Sequence, residues 1–370
     1  MIILRTEDIR SICSDILAAV DSNVLSKITE TLEIIVKDGF LKMNVTNSEY
    51  YATVTLPISD TSIDMHATVN ADVFLKLVAR TTTDTIQLEV EENILKVKAN
   101  GDYKIPLIYE GQELLNLPEI RINNETNTFD IDTKVLASIM NYNSKELQKG
   151  FVTLPVQKLY YIDEKGAITF TTGACVNDFT LNNPIKILLT QKLVNLFKIF
   201  KEPTVKFTIG QDMDNNIIQT KVKFETSSFC IVSIIPSDQS MIDSVPVDAI
   251  RNRAHEDYDY TVVLDKYQLL QTIDRLLLFS SNTLKLYSKF EFGIDSVKIY
   301  DVQQDNFEEI HYANSTMISQ PYEAILDLID IKNTFNNFRD QYINIRFGNN
   351  EAIVVNSQNI YVVIPEVIKD

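Results

Sequence analysis

The sequence predicts an α+β protein of tandem domains, each built from helices and antiparallel strands. The clearest repeat unit is Asn70–Tyr109, where apolar residues first recur at helical spacing and then alternate with polar residues at strand spacing. The same order of one helix and three strands returns at 190–236 and at 331–365. All three copies end on a strand that carries Ile-Pro, at Ile105-Pro106, Ile235-Pro236 and Ile364-Pro365. A period of roughly 120 to 140 residues indicates tandem domains, since solenoid repeats are much shorter.

Each third of the chain carries this unit twice, so each domain is expected to be internally duplicated. Apolar side chains at helical spacing predict helices at 7–20, 73–80, 133–146, 190–202, 267–279 and 331–340. The earlier unit of each third has its strands at 28–36, 41–45, 50–56, 159–162, 167–171, 179–181, 283–287, 296–302 and 308–312.

Connectors that contain proline and charged residues separate the three predicted domains. They lie near 115–121 and 240–256, and the polar stretch Arg251–Asp257 is interpreted as part of the second linker. The resulting domain boundaries are 1–120, 121–250 and 251–370.

Composition excludes several classes of protein. The formal net charge of −17 argues against binding nucleic acid through the whole surface, although it permits a local basic strip. Cys13, Cys175 and Cys230 are widely separated, which indicates reduced cysteines in a cytoplasmic protein. No apolar run approaches the roughly 20 residues that span a bilayer, and no secretory signal is recognised, so no membrane association is expected.

The sequence shows no candidate active site, metal centre or cofactor site. His66, His255 and His311 each stand alone, without a second ligand at metal spacing. The stretch Gly210–Asn216 resembles a calcium loop weakly, but Ile217 occupies the position that requires glycine, so a solvated hairpin tip is favoured. Phosphate-binding, hydrolase and metalloprotease motifs are absent. We therefore expect neither catalysis nor a bound cofactor.

These features together resemble the bacterial DNA polymerase III β subunit, the sliding clamp, over the whole chain. The most specific pieces are Asn70–Leu107, the linker Glu110–Glu119 and the terminal Ile360–Glu366. Two departures mark a divergent member, consistent with a phage or plasmid origin. Phe170-Thr-Thr-Gly-Ala-Cys-Val176 stands where the family usually has Ala-Thr-Asp-Gly-His-Arg-Leu, and Glu366 and Val367 replace a methionine and an arginine.

The resemblance implies a DNA-clamp fold of three tandem domains that closes into a ring as a head-to-tail homodimer. It implies three other partners: encircled double-stranded DNA bound without sequence specificity, the replicative DNA polymerase and an ATP-dependent clamp loader. The family's dimer interface matches Tyr103, Ile105, Leu278 and Phe279.

The resemblance also implies a pocket for client peptides between domains 2 and 3. The matching residues are Leu154, Thr171, Gly173, Val176, Ile242, Val245, Val362, Ile364, Pro365 and Val367, with the stretch around Ile242 aligned only loosely. The alternative interpretation is that these residues belong to a strand core. Val363 in particular is expected to face the core, because alternate residues of a strand point to opposite sides.

Basic residues on the predicted helices fit a DNA-facing surface, as the resemblance implies. The expected DNA-facing residues are Lys76, Arg80, Lys145, Lys149, Lys192, Lys198, Lys201, Arg275, Lys332 and Arg339. Exposed helix faces often carry lysine and arginine, so charge alone leaves both interpretations open. Recurrence of the bias in three helices favours the clamp.

The sequence thus predicts a sliding clamp, a processivity factor that tethers the polymerase to its template and is not an enzyme. The alternative is a non-enzymatic structural protein of tandem β-rich domains, such as a virion or scaffold component.

Overall fold

The computed structural model describes residues 1–20, 26–59, 64–149, 152–171, 173–214, 217–280, 285–348 and 352–366. The first strands in chain order are β1 (Ile2–Arg5), β2 (Thr31–Lys37), β3 (Phe40–Thr46), β4 (Tyr50–Pro57), β5 (Met65–Asn70), β6 (Thr85–Glu91), β7 (Ile94–Lys98), β8 (Asp102–Pro106), β9 (Tyr109–Glu110), β10 (Glu113–Leu114), β11 (Glu125–Asp132), β12 (Tyr160–Asp163), β13 (Gly166–Phe170) and β14 (Ala174–Asp178).

The remaining strands are β15 (Lys186–Leu189), β16 (Thr204–Asp214), β17 (Ile217–Glu225), β18 (Phe229–Ile235), β19 (Tyr260–Asp265), β20 (Tyr287–Phe292), β21 (Ser296–Tyr300), β22 (Phe307–His311), β23 (Asn314–Ser315), β24 (Tyr322–Asp327), β25 (Tyr342–Phe347), β26 (Ala352–Ser357) and β27 (Ile360–Pro365). The α-helices are α1 (Thr6–Leu17), α2 (Ala71–Arg80), α3 (Thr133–Ser138), α4 (Ser144–Glu146), α5 (Gln191–Val194), α6 (Gln239–Asp243), α7 (Val247–His255), α8 (Lys266–Leu276) and α9 (Leu328–Asn337). A π-helical turn (Ile139–Asn143) joins α3 to α4, and short 3-10 helices span Lys27–Glu30, Pro155–Lys158, Asn195–Ile199 and Leu277–Phe279.

Within the described residues, one order of elements occurs six times: a strand, a helix and three more strands. The first strands of these units are β1, β5, β11, β15, β19 and β24. The residue that ends the first strand often caps the helix: Asn70, Asp265 and Asp327 accept hydrogen bonds from the first backbone N–H groups of α2, α8 and α9. Each unit therefore enters its helix directly from a strand.

The chain forms two compact units. Unit 1 comprises residues 1–134 and 195–236. Its larger sheet has eight strands in the order β11-β16-β17-β18-β4-β3-β2-β5, and a second sheet has the order β1-β6-β7-β8. One face of the larger sheet packs against helices, as the contact of the Cys13 sulfur in α1 with the Met43 sulfur in β3 shows.

Unit 2 comprises residues 135–194 and 237–370. Its larger sheet has the order β15-β12-β13-β14-β27-β26-β25-β19-β23, and a second sheet has the order β22-β21-β20-β24. Leu269 and Ile273 of α8 and Phe335 of α9 share one buried core with both sheets. Phe292 and Phe347 stack in that core with ring centroids 4.2 Å apart.

Each large sheet combines strands from two of the predicted domains, since β18 pairs with β4 and β14 pairs with β27. The domain boundaries at 120 and 250 stay a prediction. None of the helices in the described part of the chain has the length and apolar character that crossing a membrane requires.

Several predicted elements differ from the structure. The stretch Arg251–Asp257 lies largely in α7 because Ala254 is buried against the sheet and the charged residues face outward or form ion pairs. The predicted strand at 179–181 is not formed, since the pairing with β13 and β27 uses Ala174–Asp178. The helix predicted at 190–202 is α5 followed by a 3-10 turn, and the strand predicted at 283–287 begins at Tyr287, with 283 and 284 outside the described residues.

Candidate functional site

An apolar cluster covers the face of the nine-stranded sheet that is turned away from α8 and α9. Its buried members are Val156, Tyr161, Ile168, Val176, Leu188, Val245 and Ala254. Its partly buried members are Leu159, Phe170, Met241, Ile242, Val247, Ile250, Tyr361 and Val363. We call this surface the apolar face of unit 2.

The pairing of β14 with β27 decides which side chains reach this face. Val176 lies opposite Tyr361, and Ala174 lies opposite Val363. Side chains directly opposite each other in a sheet share a face, so Tyr361 and Val363 join Val176 on the apolar face.

Val362 and Ile364 face the other way, into the buried core around α8 and α9. This corrects the predicted orientation of the terminal strand, in which Val362 and Ile364 lined the pocket and Val363 faced the core. A shift of one residue exchanges every side chain of a strand between the two faces. Cys175, which takes the position of a family arginine, is likewise buried in the core instead of lying at the rim.

The structure brings Val176, Ile242 and Val245 together on the apolar face, and their role in a client pocket stays a prediction. Leu154 is half exposed at the start of the Pro155–Lys158 turn, and Pro365 is exposed at the end of β27. Gly173 permits close approach of the two strands, because a Cβ atom there would lie 1.9 Å from the Val363 carbonyl oxygen. Val367 lies outside the described residues.

Thr171 stands apart from the apolar face. It donates its N–H to the Gly173 carbonyl oxygen at 3.1 Å and lines a separate groove with Lys145 and Lys149. Matching to the family missed several partly buried members of the apolar face, among them Phe170, Met241, Tyr361 and Val363. The strand pairing of β14 with β27 is the signal that identifies the last two.

A buried ion pair fixes α7 over the sheet. Arg251 binds both carboxylate oxygens of Asp163, at 2.7 and 2.6 Å. Asp163 Oδ1 also accepts the backbone N–H groups of Lys165 and Gly166, at 2.9 and 3.1 Å. Bidentate geometry and full hydrogen bonding of the carboxylate stabilise such a pair.

The other end of α7 is held by His255 and Arg346. His255 Nε2 lies 3.1 Å from Asp178, and the His255 ring meets the Tyr361 ring edge-on at 4.6 Å. Burial raises the pKa of the Asp178 carboxyl, while His255 and Arg251 oppose that shift. The Arg346 guanidinium lies 5.5 Å from the Tyr361 ring and donates to the Ala254 and Glu256 carbonyl oxygens. The connector therefore forms a fixed wall beside Tyr361.

A groove of about 380 Å³ borders the apolar face of unit 2 beside α7. Ile242, Val245 and Val247 form part of its wall, while Asp163 and Arg251 lie at its polar side. It thus shares its apolar residues with the apolar face.

Ion pairs neutralise several of the predicted DNA-facing cations. In unit 1, Lys76 pairs with Asp72 at 2.8 Å and Lys201 with Asp15 at 2.7 Å. Arg80 and Lys198 are exposed there and make no ion pair with any described residue.

Three of the predicted cations in unit 2 also have partners. Arg275 pairs with Glu308 and Lys332 with Asp274, both at 2.5 Å. Lys145 donates to the Asn336 carbonyl oxygen at 3.3 Å. Three further predicted cations are exposed, namely Lys149, Lys192 and Arg339.

Three of the four predicted dimer-interface residues are exposed. Leu278 is 80% exposed, Phe279 56% and Tyr103 38%. Ile105 is buried, so the prediction is corrected at this position: the side chain packs inside unit 1 and presents no surface. Ile105 lies opposite Leu95 of β7, which is fully buried, so the Ile105 side chain belongs to the core of unit 1.

Within the ranges described above, no group of three or more histidine, cysteine, aspartate or glutamate side chains is placed to hold a metal ion.

The fold matches solved structures over its full length. The DNA polymerase III subunit β from Pseudomonas aeruginosa has a TM-score of 0.82 and 14% identity, with 99% of each chain covered. The β chain from Streptococcus pneumoniae has a TM-score of 0.81 and 13% identity, again with 99% of each chain covered. A Pseudomonas aeruginosa sliding clamp bound to griselimycin has a TM-score of 0.79, 14% identity and the same coverage.

No protein-family model matches the sequence, and no curated protein sequence matches it. The structural likeness confirms the predicted α+β clamp fold. The chain has the fold of the DNA polymerase III β subunits, the sliding clamps.

Proposed function

We propose that the protein is a DNA sliding clamp, a processivity factor without catalysis of its own. Two copies would close a ring around duplex DNA and tether the replicative polymerase and other clients to it. The observation that carries the proposal is the likeness to clamp structures across almost the whole of both chains. The proposal includes a cytoplasmic location, an ATP-dependent loader and the three-domain division at 120 and 250.

Encirclement explains the modest positive charge of the predicted DNA-facing helices. A ring retains DNA by its topology, and strong phosphate binding would slow its movement along the duplex. Arg80 and Lys198 would supply weak, salt-sensitive attraction, whereas Lys76 and Lys201 are partly neutralised by their aspartate partners. The net charge of −17 then limits binding of DNA elsewhere on the surface.

The apolar face of unit 2 is the proposed client site. Phe170, Met241, Tyr361 and Val363 are only partly buried there, so a short peptide with apolar side chains would complete the cluster. A similar clamp binds griselimycin, which shows that this fold accepts a compact ligand in that protein. Tethering through such a peptide raises the effective concentration of polymerase at the template.

The proposed ring contact joins β8 of one copy to β22 of the other. Both are edge strands, whose free backbone groups are available to a second chain. Tyr103 lies on β8, and the exposed Leu278 and Phe279 follow α8, which packs against β22. Glu309 on β22 and Lys104 on β8 are both exposed and would attract each other across the contact.

Retention on circular DNA tests the proposal. The protein is placed on a nicked plasmid with its loader and ATP, and the DNA-bound fraction is isolated before and after a single restriction cut. Wild-type protein should stay on circular DNA and leave within minutes of linearisation. The variant carrying Leu278→Ala and Phe279→Ala should be lost from both forms, because its ring opens. Equal retention of wild-type protein on circular and linear DNA would exclude encirclement.

A further inference from the structure

Unit 2 contains a buried polar cluster where α4 meets α9. Its side chains are almost fully buried: Thr169, Asn143 and Asn177 are 0% exposed, Asn337 1% and Glu146 3%. Asn143 donates to the Thr169 hydroxyl at 3.2 Å, and Asn177 donates to the Asn143 amide oxygen at 3.1 Å. The π-helical turn 139–143 carries Asn143 into this cluster, and such turns often mark functional positions.

Glu146 is the acidic member of the cluster. Its Oε1 accepts a hydrogen bond of 2.9 Å from Asn337 Nδ2, which also donates to the Tyr142 carbonyl oxygen at 2.9 Å. The amide oxygen of Asn337 has no hydrogen-bond partner among the described residues. No lysine, arginine or histidine in the described ranges forms an ion pair with Glu146. Burial without a neighbouring cation favours the uncharged form of this carboxyl and makes the charged form costly, although the Asn337 N–H donor on its own favours the charged form.

We propose that Glu146 is a proton-dependent latch: its neutral carboxyl holds residues 144–149 against α9, and its ionisation releases them. The hydrogen bond to Asn337 is the link between the two elements, since Asn337 is the last residue of α9. The inference concerns this chain's own packing and does not depend on the proposed clamp function.

The charged groups around Glu146 support this assignment. Asp330 faces it from α9, Cys175 from β14 and Lys145 from its own helix. Burial raises the pKa of Glu146 to about 7; the Asn337 hydrogen bond opposes that shift, Asp330 adds to it and Lys145 opposes it. Lys285, on the same groove, pairs with Asp330 at 3.2 Å instead of with Glu146.

Release of residues 144–149 would alter a surface groove of about 470 Å³. Lys145 and Lys149 lie on one side of this groove, Asn333 and Asn336 of α9 on the other, and Thr171 at its edge. Ionisation of Glu146 would therefore change both the position of two predicted DNA-facing lysines and the charge beneath them.

The sign of the pH effect follows from the raised pKa. The ordinary pKa of glutamate is 4.5, and the folded value is about 7. The latched state binds a proton that the released state gives up, so its stability is complete below pH 4.5 and is lost as the pH rises through 7. The opening constant is the equilibrium constant between the released and the latched state. It should rise about tenfold per pH unit between the ordinary and the folded pKa of Glu146 and level off above the folded value.

Hydrogen exchange of the full-length protein between pH 5 and pH 8 tests the latch, after correction for the intrinsic rates. In wild-type protein, the opening constant of amides in 139–149 should show the rise and plateau. Glu146→Gln should remove the pH dependence. Asp330→Asn should move the plateau to lower pH, and it keeps the test valid if the first variant does not fold. Glu366→Gln is the control: this second carboxyl is partly buried, is bonded to Tyr322 and also has a pKa raised by burial.

Two results would overturn the proposal. One is an opening constant in wild-type protein that does not change with pH. The other is the same pH dependence in wild-type protein and in Glu146→Gln. One case of the second result is a pH dependence that is kept in Glu146→Gln but lost in Glu366→Gln, which would assign the effect to Glu366.

Discussion

The two large sheets expose different chemistry on the faces that are turned away from their helices. In unit 1 this face carries Glu33, whose carboxylate is bonded to both Asn44 and His66. In unit 2 it carries the apolar cluster around Val176 and Tyr361. Both sheets are antiparallel and are built from the same repeated unit, so the fold alone does not decide the chemistry of the face.

The connectors differ in secondary structure, although a buried ion pair holds each of them. In unit 1, Lys221 pairs with Asp212 at 2.9 Å and donates to the Arg121 carbonyl oxygen at 2.9 Å. In unit 1 the segment after β8 closes onto the sheet through neutral hydrogen bonds: Ile108 N–H donates to the Thr68 carbonyl oxygen at 2.8 Å, and the Thr68 hydroxyl to the Leu115 carbonyl oxygen at 2.7 Å. In unit 2 the connector is helical and is fixed by the Asp163–Arg251 ion pair. Polar groups that satisfy one another leave little to offer a ligand, whereas partly exposed apolar side chains gain from being covered. We therefore propose docking on unit 2.

The largest expected effect is that of Asp163→Ala on the stability of unit 2. The substitution leaves the Arg251 guanidinium buried without its partner, which costs about 3–5 kcal/mol. Urea unfolding at pH 7 measures the loss. The double variant Asp163→Ala with Arg251→Met should recover much of it, because the unpaired charge is also removed. A loss below about 1 kcal/mol in the single variant would mean that the pair does not hold α7.

The next largest effect is on the affinity for a client peptide, which should depend on the face of unit 2 and not on that of unit 1. Val363→Asp introduces a charge on the apolar face and should weaken binding of an apolar client peptide by about 2 kcal/mol, roughly thirtyfold. Thr53→Asp is the matched control, because Thr53 is half-buried on β4 opposite Asn44 of unit 1. Fluorescence titration gives both affinities, and melting temperatures confirm folding. Equal weakening in the two variants would remove the distinction between the faces.

The smallest effect concerns the connector of unit 1. Thr68 is fully buried, so Thr68→Val keeps the packing and removes only the hydrogen bond to Leu115. We expect a loss of about 1 kcal/mol, the net value of one such bond. Chemical unfolding measures it. An unchanged midpoint would show that this bond does not hold the connector.

Much of the fold is predictable from the sequence, because its signals are local. The strands predicted at 41–45 and 50–56 lie within β3 and β4, and the helix predicted at 73–80 lies within α2. Hydrophobic periodicity reports such elements directly. The first strand of each unit was missed, since β1 and β15 have only four residues each and β11 has mostly polar side chains.

The candidate site is less predictable, because it depends on pairing between distant segments. Val362 and Val363 are identical neighbours in sequence, and only the register of β27 against β14 tells which of them faces the core. Burial of Ile105 and the helix across Arg251 likewise depend on tertiary contacts. Matching to a family at this level of identity locates the strand but leaves its orientation open.

Hydrogen-exchange mapping of peptide binding tests the central claim most directly. A peptide from the cognate polymerase with leucine and phenylalanine anchors is added to the full-length protein, and protection is followed along the chain. Amides at 170–176, 241–247 and 361–363 should become protected, while those of Glu33, Asn44 and His66 should exchange as before. Protection confined to the face of unit 1, or none in the three segments of unit 2 under saturating peptide, would contradict the account.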